Sequence, residues 1–204
     1  MILGKPLITA RDVEMAAQCG GILHVDGEYV LSPGAGDRIL KLGVKIEPVR
    51  RPSSGLPRVA IASDHGGFEW KGLLKAHLES LDYAVFDFGT HSKDSCDYPD
   101  FAVRASRAVS DGTCERGIVI DGAGIGSCMV ANKIPGVRAA KCDSLFDILN
   151  SRAHNNANVL TLGTKHSLDD VKNWVRQWLE TEFEGGRHER RVDKIDALDR
   201  VGQR

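Results

Sequence analysis

Short apolar runs alternate with amphipathic stretches from Arg58 onward. Arg58-Val-Ala-Ile-Ala-Ser, Tyr83-Ala-Val-Phe-Asp-Phe-Gly, Gly117-Ile-Val-Ile, Val137-Arg-Ala-Ala-Lys-Cys and Val159-Leu-Thr-Leu-Gly read as five strands. Near-continuous apolar runs of that length are what strands buried on both faces need. Between them, residues 68–81, 99–110, a stretch beginning at Ser127, residues 145–155 and residues 171–183 carry helical spacing. Strict βα alternation requires parallel strands joined by right-handed crossovers. The pattern therefore predicts an α/β fold, a doubly wound three-layer αβα sandwich with a five-stranded parallel sheet.

The first part of the chain follows a different pattern. Thr9 precedes a helical run with Asp12 three residues on, and Gly20-Gly21 closes it. Residues 22–31, Ile-Leu-His-Val-Asp-Gly-Glu-Tyr-Val-Leu, look like a hairpin turning at Asp26-Gly27. Ser32-Pro33-Gly34 precedes a second short helix around residues 37–42. These features predict a small N-terminal helix-hairpin appendage over residues 1–47. Residues 48–57, with Arg50-Arg51-Pro52-Ser53-Ser54-Gly55, are rich in turn formers and read as a linker. The main domain then spans residues 58–204.

Composition narrows the class. A chain of 204 residues with 42% hydrophobic residues can build a sizeable core. Lys+Arg 27 against Asp+Glu 28 leaves a net charge of −1, so no global field favours nucleic acid or an anionic membrane. No apolar run approaches the roughly 18 residues of a membrane span, and the N-terminus lacks a basic-then-apolar leader. A soluble, cytoplasmic protein is the expectation. Cys19, Cys96, Cys114, Cys128 and Cys142 are odd in number and scattered, without Cys-x-x-Cys, which argues against a disulfide framework and a cysteine zinc site.

Candidate chemistry gathers at residues 117–133. Asp121 ends a predicted strand and is followed by Gly122, Gly124 and Gly126, with Ser127 opening the next helix. Ligands of open α/β sheets bind beyond the carboxyl ends of the strands, and such glycines let backbone N–H groups approach an anionic oxygen. Gly-x-Gly-x-Gly meets neither the dinucleotide nor the Walker pattern, so a purely structural strand-to-helix turn stands beside the ligand site as an equal alternative. Asp64 and His65 follow the first strand, and Asp97-Tyr98-Pro99 follows the second. His154 and Asn155 fall near the end of a predicted helix, where a histidine is often a cap or surface residue. Lys165 could meet a phosphate or only water. Arg187 and Arg191, four apart, would form a phosphate fork on one helix face or a solvated basic face.

Five motifs in order resemble one family. They are Ser63-Asp64-His65-Gly66-Gly67, Asp97-Tyr98-Pro99, Gly122-x-Gly124-x-Gly126 through Ala131-Asn132-Lys133-Ile-Pro-Gly-Val-Arg138, Arg152-Ala-His154-Asn155-Asn156-Ala-Asn158, and Glu184-Gly-Gly-Arg187-His188-x-x-Arg191. From about Arg58 to Ile195 the chain resembles type B ribose-5-phosphate isomerases and galactose-6-phosphate isomerases. The resemblance implies an aldose–ketose isomerase of a phosphorylated sugar, working through an enediolate with no metal or cofactor. It assigns ring opening to His154, whose residue type titrates near neutrality. It gives the anion hole to the N–H groups of residues 122–127, sugar hydroxyls to Asp64 and Asn155, and site closure to Tyr98. His65, Lys165, Arg187 and Arg191 would hold the phosphate. It further implies a homodimer or tetramer with shared sites, His154, Asn155 and Lys165 coming from the neighbouring subunit. Outside that match, the N-terminal segment resembles those on some bacterial microcompartment enzymes.

The chain also departs from the family pattern. Many members carry the proton-transferring cysteine where this chain has Asp121, and others use a glutamate where it has Ser127. Ala123 replaces a hydroxyl residue, and Lys165 replaces an arginine, exchanging a fork for a point charge. Asp121 as the base is one expectation. The other, suggested by likeness to the A subunit of galactose-6-phosphate isomerase, is a catalytically silent sugar-phosphate binding protein or a subunit needing a cysteine-bearing partner. Cys128, two residues past Gly126 in the next helix, is poorly placed to substitute.

Overall fold

The computed structural model describes residues 7–18, 21–25, 29–48 and 55–199, in a chain that divides into two units, Met1–Gly55 and Leu56–Arg204. In the first unit, β1 (Leu7–Ile8), α1 (Ala10–Gln18), β2 (Ile22–Val25), β3 (Val30–Leu31), α2 (Ala35–Leu42) and β4 (Lys45–Pro48) follow in order. Thr9 caps α1 as its position predicts. Asp12 N donates to Thr9 Oγ1 at 3.3 Å, and Thr9 N and Oγ1 donate to Asp12 Oδ2 at 2.8 and 2.7 Å. Gly21, at φ 74°, donates its N–H to Ala16 O and ends the turn after the helix.

The expected hairpin does not form. β2 pairs in parallel with β4, Ile22 opposite Lys45, and β3 pairs in parallel with β1, Val30 opposite Leu7. The expected turn at Asp26-Gly27 and the linker residues Arg50 to Ser54 lie outside the described residues. In both ladders the partners stand 23 residues apart, so the unit is a strand–helix–strand segment paired with a second one. Alternation marks a strand but does not name its partner, and here helices cross between paired strands. Ile8, Val13, Ala16, Val25, Ala35 and Val44 form a small core of their own.

The second unit carries β5 (Arg58–Ser63), α3 (Phe68–Ser80), β6 (Ala84–Asp87), α4 (Tyr98–Ser110), β7 (Arg116–Asp121), α5 (Ile125–Ala131), β8 (Ala139–Lys141), α6 (Leu145–Ala153), β9 (Val159–Gly163), α7 (Leu168–Glu180) and α8 (Glu189–Asp196). Its five strands are all parallel, in the order β6-β5-β7-β9-β8. The chain runs from β5 outward to β6 and returns on the other side to β7. That reversal opens a crevice beyond the ends of β5 and β7.

One face of the sheet presents Val59, Ile61, Ile118, Ile120, Leu160 and Leu162 to Leu74 and Leu78 of α3, Ile148 of α6, and Val171, Val175 and Trp178 of α7. The intervening strand positions are smaller, with Ala60, Ala62 and Gly117, and α4 packs on β5 and β7. A Cβ at Gly117 would stand 3.1 Å from Val109, so glycine there lets α4 close on the sheet. Buried Lys71 donates to both Asp87 oxygens, at 2.7 and 2.6 Å, and to Thr90 O at 2.7 Å. This ties the loop after β6, which leads to Tyr98, onto α3. Among the described residues no helix is long and apolar enough to cross a membrane.

Candidate active site

Asp121 sits at the end of β7 and is 5% exposed. Its Oδ1 accepts the N–H of Ala123 at 2.7 Å and that of Gly124. Its Oδ2 accepts the N–H of Ser127 at 3.2 Å and the Ser127 hydroxyl at 2.5 Å. A carboxylate offers about four acceptor positions, and this one fills them from its own turn. Three of the N–H groups expected to meet an external oxygen therefore meet Asp121 instead. The sequence pattern puts these donors at the end of β7 but cannot reveal that a carboxylate, unlike a thiol, reaches back to take them.

The glycines shape this turn for separate reasons. Gly124 has φ 74°, and a Cβ there would lie 2.9 Å from Leu162 C, so the turn lies flat on β9; Thr161 Oγ1 donates to Gly124 O at 2.8 Å. A Cβ on Gly126 would come within 2.5 Å of Tyr98 Oη, so the Tyr98 ring lies directly over the turn. Gly122 leaves open space. Ser127 is fully buried behind Asp121.

Across the crevice, Asp64 follows β5, 9% exposed, and Oδ1 accepts the N–H of Gly67 at 3.1 Å. A Cβ on Gly67 would lie 2.6 Å from Ile120 O, which brings the β5 turn against the end of β7. His65 is exposed, and its Nδ1 stands 3.2 Å from Cys96 O and 3.3 Å from Cys96 N, with Cys96 Sγ at 3.9 Å. Cys96 was not expected at the site; its place just before Asp97-Tyr98-Pro99 was the available signal. Asp64, His65, Tyr98, Asp121, the glycine turn and Ser127 thus converge at the switch point, as their positions at strand ends predict.

The remaining site candidates lie in two further groups. His154 caps the C-terminal end of α6, with Asn150 Nδ2 2.8 Å from its Nδ1 and Glu184 Oε2 3.4 Å from its Nε2. Its ring stacks on His188, centroids 4.1 Å apart and planes within 5°. Burial and the neighbouring His154 hold the His188 imidazole below its ordinary range. Arg187 Nε donates to His188 Nε2 at 3.2 Å. Arg187 is not on the same helix face as Arg191. Gly185 and Gly186 take left-handed φ of 64° and 57°, which delays α8 until Glu189 and leaves Arg187 in the turn before it. Asn155 is exposed beside His154. Beneath this loop, Arg152 is 1% exposed and donates to Thr181 O, Asn156 Oδ1 and Ala157 O at 3.2, 2.9 and 2.7 Å. Burial brings its guanidinium down to about 10, still charged at neutral pH.

In the third group Asp143 gathers Lys165 Nζ at 3.0 Å, His166 Nε2 at 3.1 Å and the Lys141 ammonium. Lys165 is thus an exposed cation already paired in the free protein. Lys141 went unassigned in the sequence because it is the penultimate residue of an apolar strand pattern. Burial, then the Lys165 charge, pulls its ammonium below the usual lysine range.

A parallel sheet whose switch point gathers two carboxylates, a glycine turn and the exposed His65 marks the small-molecule site of a protein of the doubly wound α/β class. The particular family follows from comparison: the chain belongs to the ribose/galactose isomerases, whose family model matches residues 59–195. Ribose-5-phosphate isomerase B of Escherichia coli K12 is 39% identical over 145 residues, covering 71% of this chain and 97% of that protein. The structure of Clostridium thermocellum ribose-5-phosphate isomerase B superposes with a TM-score of 0.70 at 45% identity, over 72% of this chain and 99% of that one. The Mycoplasma genitalium enzyme, solved with bound ribulose-5-phosphate, gives a TM-score of 0.68 at 38% identity, over 70% and 96%.

Proposed function

We propose that this chain interconverts ribose 5-phosphate and ribulose 5-phosphate through an enediolate. The reaction moves the C2 proton to C1 while the C2 hydroxyl proton passes to the C1 oxygen, so no external oxidant is needed. The observation that carries this reading is the convergence of Asp64, Asp121, Tyr98 and the glycine turn at the switch point, within a chain of this family. His154, with its side chain 34% exposed, opens the furanose ring. Asp64 and Asn155 hold hydroxyls; His65, Lys165, Arg187 and Arg191 bind the phosphate, and Lys141 adds charge beside Lys165. A second subunit lends His154, Asn155 and Lys165 to the crevice of the first. Asp121 transfers the proton, which requires the bound sugar's oxygen to take over one of the turn donors and release a carboxylate lone pair.

The four donors on Asp121 favour a second reading. A carboxylate held in that way is a structural stopper in the anion hole, and the chain is then a sugar-phosphate binding subunit awaiting a cysteine-bearing partner. Incubating the protein alone with ribose 5-phosphate in deuterated water and following the C2 proton by NMR separates the two. Exchange and ribulose 5-phosphate, lost in Asp121→Asn, support the self-sufficient isomerase. No exchange in the wild type, with saturable ligand binding and exchange gained in Asp121→Cys, supports the silent subunit.

Residues 1–47 stand outside the family match, and we assign them a docking role, consistent with a cytoplasmic protein gathered into a microcompartment. Leu7 and Val30, opposite one another across β1 and β3 and 59% and 48% exposed, support that reading.

A further inference from the structure

Glu184 and His188 sit in the last of the sequence motifs, yet the isomerase reading gives neither of them a task. Their side chains meet His154. Nε2 of His154 lies 3.4 Å and Nε2 of His188 3.9 Å from Glu184 Oε2, and the three residues each offer a ligand atom within 4.8 Å of the other two. Ligand atoms at about 2.0–2.1 Å from a tetrahedral zinc ion stand roughly 3.4 Å apart, so the cluster is close to the size of a coordination shell.

The backbone builds this cluster before any ion arrives. Glu184 N donates to Ala153 O at 3.0 Å, pinning the segment to the end of α6. Left-handed Gly185 and Gly186 then reverse the chain, and His188 N donates to Gly185 O at 3.0 Å, so Glu184 and His188 face one point. The His188 tautomer also suits a metal. Arg187 Nε donates to His188 Nε2, which marks that nitrogen as the one carrying the lone pair. As placed, Asn150 Nδ2 donates to His154 Nδ1 at 2.8 Å, so an ion on Nε2 also requires this amide to turn its carbonyl end inward and accept the Nδ1 proton.

We propose that His154, Glu184 and His188 form a binding site for a borderline-soft divalent cation of the zinc type, with a water in the fourth position. Two imidazoles and one carboxylate select such an ion over magnesium or calcium, which prefer oxygen ligands. Binding has to open the histidine stack, because ring lone pairs lie in the ring planes and stacked rings aim them in parallel. Arg187 must also release His188, and with Arg191 it opposes the incoming charge, which keeps the site weaker than a structural zinc centre. The consequence for activity rests on the isomerase reading: an ion on Nε2 of His154 removes the ring-opening base, so the site is inhibitory.

The test uses chelator-treated full-length protein titrated with cobalt(II) chloride, read by visible absorption, and with zinc chloride, read by calorimetry. One ion per chain is expected, with the intense absorption of tetrahedral cobalt displaced by zinc. Glu184→Gln, at a side chain 59% exposed, should weaken binding about 10-fold or more without altering the melting temperature, and His188→Ala should abolish the absorption band. Absence of saturable binding in the wild type, or unchanged binding in Glu184→Gln, overturns the site. Zinc should suppress isomerisation by the wild type and spare Glu184→Gln. Should the wild type isomerise nothing, the isomerase reading fails while the spectroscopic result still decides the site.

Discussion

At the scale of single residues, Asp121 holds its turn with the same oxygens that proton transfer would need. Asp121→Asn replaces an acceptor by a donor facing the Ser127 N–H. Burying that mismatch should cost about 1–3 kcal/mol in a chemical melt, alongside the loss of exchange predicted above. His154→Asn should lower turnover by about 100-fold or more while leaving ligand binding nearly intact, since a general base acts in the transition state. Cys114 and Cys142, each 1% exposed, carry a different prediction. Burial pushes their thiols up from 9.0, to about 12 and about 11. Above pH 9 the unfolded chain loses these protons while the folded one keeps them, so stability is full below pH 9 and falls as pH rises toward 11–12. Melting temperatures taken from pH 8 to 11 should drop more steeply for the wild type than for Cys114→Ala.

At the scale of elements, the turn between β7 and α5 uses its glycines unequally. Gly124→Ala places a Cβ at left-handed φ and 2.9 Å from the backbone of β9, and should cost about 2 kcal/mol or more. Gly126→Ala collides only with the end of the Tyr98 ring, which is 38% exposed and can swing outward. Its melting temperature should stay within a few degrees, whereas KM should rise because Tyr98 no longer covers the turn. Kinetics and a thermal melt on the two variants check both statements. The element types were legible: strand runs and helix periodicity locate β5 to β9 and α3 to α7 to within a few residues, because burial on both sheet faces and on one helix face dictates them. Partner choice in the first unit was not, since the pattern of residues 22–31 suits a hairpin as well as two parallel ladders.

At the scale of the whole molecule, the family match begins at residue 59, and the relatives, shorter than this chain, are matched over nearly their full extent. A chain reduced to residues 56–204 should therefore fold with its own cooperative transition, carried by the core of Trp178, Ile61 and Leu160. Circular dichroism melts check it. If sites are shared between subunits, mixing Asp121→Asn with His154→Asn, each inactive alone, should restore about a quarter of wild-type activity after subunit exchange, since half the dimers are mixed and each has one intact site. With a wild type active alone, no recovery in subunits shown to exchange would mean that each chain completes its own site.

The sequence by itself determined the sheet, its covering helices and the cluster of Asp64, Tyr98, Asp121 and the glycines at one edge. Buried apolar runs and strand-end positions are local properties, and the switch point follows from them. Only the tertiary structure decided what the polar atoms do to one another. It shows Asp121 spending its lone pairs on Ala123, Gly124 and Ser127, Lys165 paired to Asp143, and His154 stacked on His188 beside Glu184. Those contacts depend on side-chain reach and on two left-handed glycines, and a hydrogen bond forms or fails over about an ångström. Residue spacing along the chain carries no information at that resolution.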